Sequence, residues 1–113
     1  MPDTSLLHQH CHSDIEKLGT QNAKQLASEL DPQWQLDTEA GNIQRTFSFK
    51  NYYQTIAFVN ALAWVAHQED HHPDLEVGYN RCLVRYSTHS VDGLSQNDFI
   101  CAARLDALAL EQP

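Results

Sequence analysis

The sequence predicts an α+β fold: a four-stranded antiparallel sheet with three helices packed on one face, in the order α-β-β-α-β-β-α. Three observations lead there. Stretches with apolar residues at helical spacing open, divide and close the chain. Between them lie two pairs of short extended segments, and hairpin-like turns join the members of each pair. Strands joined by short turns pair antiparallel, and the helices then bury one face of the sheet.

The first helix is expected from about Gln21 to Leu30, with Leu26 and Leu30 on one face. It stops at Asp31-Pro32 because proline pushes the residue before it out of the α region. Trp34 and Leu36 begin a strand that enters a turn at Ala40-Gly41-Asn42. Its partner alternates, with Ile43, Arg45, Phe47 and Phe49 pointing one way and Gln44, Thr46 and Ser48 the other. Asn51 with Gln54 three residues later reads as a capping box. The helix it opens carries the stripe Tyr52, Ile56, Val59, Ala63 and Ala66, widened by Phe58, Leu62 and Val65, and runs to about Asp70 before Pro73. Two extended segments follow, 75–79 and 81–88, the second with Cys82, Val84 and Tyr86 on one face. After the Asp92-Gly93 turn, Ser95 caps a last helix with Asp98 at the third position. Ile100, Ala103, Ala107 and Leu110 form one stripe of that helix, and Cys101, Leu105 and Leu108 a second. Two apolar sides, or an open sheet face, favour self-association.

At 113 residues the chain suits one domain, read as residues 21–113, behind a polar and mobile leader over residues 1–20 that contains His8-Gln9-His10-Cys11-His12. With 42% hydrophobic residues, 4 Gly and 4 Pro, the composition is that of a chain with a core, not of a disordered one. Fifteen acidic residues against 7 Lys and Arg give a net charge of −8, which argues against nucleic acid or an anionic membrane as the partner. Three cysteines without CxxC spacing support neither a disulfide framework nor a zinc knuckle. Reduced thiols, no signal-like start and no apolar run of about 18 residues together predict a cytoplasmic protein.

Histidine is the unusual component. There are 7, as many as Lys and Arg together, and four lie between residues 67 and 89. In His67-Gln68-Glu69-Asp70-His71-His72-Pro73-Asp74, His67 and His71 are four apart and are expected on one helical face. Pro73 makes His72 extended, so adjacent imidazoles can point into a pocket at the helix end. Imidazoles that titrate near neutral pH suit proton shuttling. Tyr79, Thr88-His89 and Asp98 add further candidates. Each has a plainer reading: His67 solvated, the His-His pair a helix terminator, His89 a surface residue and Asp98 a helix cap. His67 and His71 with His72 or His89 also resemble half of a zinc site.

Taken together, His67, His71-His72-Pro73, Tyr79, Thr88-His89, Gly93-Leu94-Ser95 and Asp98 stand at spacings that resemble the pterin-4a-carbinolamine dehydratase family. The resemblance extends upstream to Trp34, the Arg45-x-Phe47-x-Phe49 strand and Phe58-Val59-Asn60, and so covers roughly residues 22–110. One departure stands out: many members carry glutamate where this chain has His67. The resemblance implies dehydration of 4a-hydroxytetrahydropterin to quinonoid dihydropterin, recycling the pterin used by aromatic amino-acid hydroxylases. It implies His71, His72 and His89 as catalytic residues, and Pro73, Thr88, Asp98 and His67 as substrate-binding ones. No metal or organic cofactor is implied. The partners it implies are the pterin, a second copy or three more of this chain, and a hydroxylase in the same pathway. Some animal members also act as dimerisation cofactors for a transcription factor, which makes a non-catalytic binding module the alternative.

Overall fold

The computed structural model describes residues 6–110, the last of them without its side chain. Helix α1 (Thr20–Ala27) is followed by strands β1 (Gln35–Asp37) and β2 (Asn42–Ser48), helix α2 (Tyr52–Glu69), strands β3 (Asp74–Val77) and β4 (Arg81–Tyr86), and helix α3 (Gln96–Leu110). This is the predicted order. The four strands form one antiparallel sheet in the order β1-β2-β4-β3. No helix among the described residues is long and apolar enough to cross a membrane.

Register explains why only one sheet face is covered. Ile43 pairs with Tyr86, Arg45 with Val84 and Phe47 with Cys82. These positions face α2 and α3, and all but Arg45 are at most 2% exposed. The alternate positions Gln44, Thr46, Ser48, Arg81 and Arg85 are polar, and none of them is buried. Arg45 is the one charge on the inner face. It lies 4.1 Å over the Phe47 ring and reaches Asp106 of α3 at 2.6 Å, beside the Trp34 indole N–H that donates to the same carboxylate at 2.7 Å.

Asn51 caps α2 as expected, accepting from the Gln54 N–H at 2.9 Å. The row that α2 buries is Thr55, Phe58, Leu62, Val65 and Glu69. The stripe expected to be central, from Tyr52 to Ala66, lies to one side, with Tyr52 and Ala63 exposed. Because α2 is apolar on more than one side, periodicity alone could not choose the face.

On α3 the difference is of another kind. Phe99, Ile100, Cys101, Ala102 and Leu105 are all buried, and the side chain of Leu110 lies outside the described residues. The chain itself covers the helix's second apolar side, because the segment read as a leader lies against it from residue 6 onward. Leu6, in a short turn of helix, is 3% exposed, and Cys11 and His12 bond to Asn97. Residue 20 therefore marks where a helix starts, not where packing begins; residues 1–5 lie outside the described residues.

One close approach holds the first hairpin against the loop after β4. Gly41 has φ +74°, and a Cβ there would stand 2.9 Å from Gly93 Cα. Gly41→Ala therefore combines a left-handed backbone with a backbone clash. We expect a loss of at least about 1–2 kcal/mol from the conformation alone, measured by urea unfolding.

Candidate active site

The site begins where α2 ends. Asp70 adopts a left-handed conformation (φ 51°, ψ 43°), and the His71 N–H turns back to the Ala66 carbonyl at 3.1 Å. The chain then leaves as an extended stretch through His72 and buried Pro73 into β3. His71 has thus left the helix, and the expected shared face with His67 does not exist. His67 is exposed, its ring 6.4 Å from that of Trp64. A metal site built on His67 and His71 loses its geometric basis with that shared face. Among the described residues no group of three His, Cys, Asp or Glu side chains is placed to hold an ion.

What the turn achieves is to aim His71 at α3. Its Nε2 lies 2.6 Å from Asp98 Oδ1, and Asp98 is completely buried. The other carboxylate oxygen accepts from the Thr88 hydroxyl at 2.8 Å and from the Ser95 N–H at 3.0 Å. Because Thr88 donates to Asp98, the Ser95 hydroxyl, 2.7 Å away, must donate to Thr88; the Asn97 N–H completes the chain on Ser95 Oγ at 3.3 Å. A carboxylate offers only acceptors, so Nε2 of His71 carries the proton and Nδ1 is the nitrogen left for other work. Asp98 is at once the helix-capping residue and the partner of a histidine.

Below the imidazole lies Tyr86, its ring 5.7 Å away and inclined by only 8°. Burial, then the nearby Cys101 and Cys11 thiols, pushes the Tyr86 phenol well above its ordinary range, so it offers His71 a neutral aromatic face. Sequence periodicity puts Tyr86 on the inner side of its strand, but nothing local reveals that it stacks on His71.

The structure thus joins His71, Thr88 and Asp98 in one hydrogen-bonded group. His72 and His89 are both exposed, one residue from His71 and from Thr88 respectively. His89 opens the short helical turn His89–Val91 instead of ending a strand, and Thr88 is tied across to Gly93, its N–H donating to the Gly93 carbonyl at 2.7 Å. Tyr79 is 65% exposed, and its carbonyl accepts from the Thr55 hydroxyl at 2.9 Å. A cavity of about 570 Å³ reaches Asp92, Gly93 and Leu94, in the loop after His89. Another of about 550 Å³, beside Arg45 and Asp106, contains no histidine.

Sequence reasoning missed Glu69, whose side chain closes the end of α2. It accepts from the Cys11 N–H at 2.8 Å and lies 3.1 Å from His10 Nδ1. Burial pushes its carboxyl up, but the Cys11 N–H, His10 and Arg104 outweigh that, and its pKa falls below the usual 4.5. These contacts therefore contribute full stability above pH 4.5, and the contribution is lost as pH falls through the lower folded value. Unfolding measured from neutral pH down through this window should be less pH-dependent in Glu69→Gln than in the wild type.

Comparison with known proteins identifies the family. The family model described as pterin 4 alpha carbinolamine dehydratase matches residues 16–108. A Nitrosomonas eutropha protein named as a pterin-4-alpha-carbinolamine dehydratase is 57% identical over 100 residues, covering 88% of this chain and 87% of its own. A crystal structure described as a transcriptional coactivator/pterin dehydratase from Brucella melitensis superposes with a TM-score of 0.79 at 31% identity, over 83% of this chain and 99% of that one. A pterin dehydratase-like protein described as a RuBisCO assembly factor in the alpha-carboxysome gives 0.59 at 27% identity, over 67% of this chain and 88% of that one. With the family model matched over residues 16–108 and a relative 57% identical across most of both chains, this chain belongs to the pterin-4-alpha-carbinolamine dehydratase family.

Proposed function

We propose that this protein dehydrates 4a-hydroxytetrahydropterin to quinonoid dihydropterin and water by histidine acid–base catalysis. The observation that carries the reading is the His71–Asp98 pair: a buried carboxylate with two further donors holds Nε2 and leaves Nδ1 free. Elimination requires one group to protonate the departing 4a-hydroxyl and another to accept the N5 proton. His71 takes one of these roles through Nδ1. His89 takes the other, being exposed and anchored through Thr88. His72, beside His71 and facing solvent, shares the proton transfer or holds the ring. Thr88 acts through Asp98, and Pro73 keeps His72 off the helix. His67, exposed on α2, is assigned here as a further substrate contact.

This chemistry uses no metal or organic cofactor. The setting we infer is cytoplasmic recycling of a hydroxylase pterin, by a dimer or tetramer of this chain whose size sedimentation would measure. The direct test follows dehydration of chemically prepared 4a-hydroxytetrahydropterin by absorbance. The wild type should accelerate it well beyond buffer. A wild type no faster than buffer sinks the reading and favours a binding module on the same fold, as in the RuBisCO assembly factor.

A further inference from the structure

Two thiols meet where the N-terminal segment lies on α3. Cys11 Sγ is 3.5 Å from Cys101 Sγ, although 90 residues of sequence separate them. Cys101 is fully buried, and Cys11 is partly exposed. The backbone around Cys11 is held in place on both sides. Its own N–H donates to Glu69 at 2.8 Å, His12 exchanges hydrogen bonds with the Asn97 amide at 3.1 and 2.7 Å, and Arg104 donates to the Gln9 carbonyl at 2.6 Å. Cys82, buried on β4, has no such sulfur neighbour among the described residues.

We propose that Cys11 and Cys101 form an oxidation site, at which a hydroperoxide converts the thiol pair into a reversible disulfide that staples the N-terminal segment to α3. With hydrogen peroxide as the hydroperoxide, the partly exposed Cys11 sulfur attacks one oxygen, the O–O bond breaks, and the departing hydroxide takes the Cys11 proton, giving Cys11 sulfenic acid and one water. The Cys101 sulfur then attacks the Cys11 sulfur, the S–O bond breaks, and hydroxyl leaves with the Cys101 proton as a second water. Two thiols lose two electrons and two protons in all, and one hydroperoxide is reduced. The sulfurs need to close by about 1.5 Å to reach bonding distance. The order of events follows from access: the partly exposed Cys11 meets peroxide first, whereas Cys101 is fully buried, its thiol pushed up by the contact with Cys11 and by burial, and is reached through Cys11.

The hydrogen bonds around Cys11 already hold the two sulfurs together in the folded chain, so the bond adds little order to the native state. It removes freedom chiefly from the unfolded one. Oxidation should therefore raise Tm by several degrees and slow proteolysis at Lys17.

The experiment treats the full-length reduced protein with equimolar hydrogen peroxide, alkylates free thiols in denaturant and maps tryptic peptides by mass. We expect loss of two hydrogens, peptide 1–17 joined to peptide 86–104, alkylation confined to Cys82, and full reversal by reductant. Cys82→Ser should keep the crosslink and Cys11→Ser should abolish it. A crosslink through Cys82, a disulfide between two chains, sulfinic acid at Cys11 beside a free Cys101, or three alkylated thiols would each overturn the proposal. The wild type carries the decisive readout, so a variant that fails to fold changes nothing. None of these measurements depends on dehydratase activity, so the proposal stands or falls apart from that reading.

Discussion

His71→Ala should lower kcat/KM for 4a-hydroxytetrahydropterin by about 10²–10⁴, the range that one positioned acid–base group supplies. The substitution removes Nδ1, and it also takes a partner from a fully buried carboxylate. We therefore expect a stability loss of about 1–3 kcal/mol as well. His71→Gln separates the two effects. Its amide can still donate to Asp98 but has no nitrogen that exchanges a proton near neutral pH, so stability should largely return while activity does not. If His71→Ala turns over as fast as the wild type, the acid–base role is lost even though the family assignment stands.

The second large effect is expected at Asp98, in different forms for its two substitutions. Asp98→Ala leaves the Thr88 hydroxyl, the Ser95 N–H and His71 without their shared acceptor in a buried setting. A cost of about 3–5 kcal/mol follows, read by urea unfolding. Asp98→Asn can keep its oxygen on Thr88 and Ser95 but then presents its NH₂ group to Nε2. Nε2 must become an acceptor, the proton moves to Nδ1, and the nitrogen needed for exchange is blocked. Activity should fall about as far as in His71→Ala while most stability remains. An Asp98→Asn enzyme with wild-type kcat and an unchanged pH profile would reduce Asp98 to a helix cap.

Much of the site was legible because its parts are local signals. Ser95 and Asp98 stand three apart in a capping box, and Pro73 restricts His72 by simple sterics. The same locality misled the reading at His67 and His71. Spacing of four means a shared face only while the helix continues, and the left-handed turn at Asp70 ends it first. No glycine or asparagine marks that turn, so the sequence carried little warning of where the helix stops.

The sequence by itself determined the α+β order, the antiparallel pairing, the capping residues and the histidine-rich segments, because each rests on periodicity or on contacts within a few residues. Only the tertiary structure decided which side of α2 is buried, that residues 6–12 cover α3, and that Tyr86 lies flat beneath His71. It alone placed Glu69 on Cys11 and Cys11 on Cys101. Those contacts join residues 15 to 90 apart in the chain and depend on how apolar faces pack together, which no local pattern encodes.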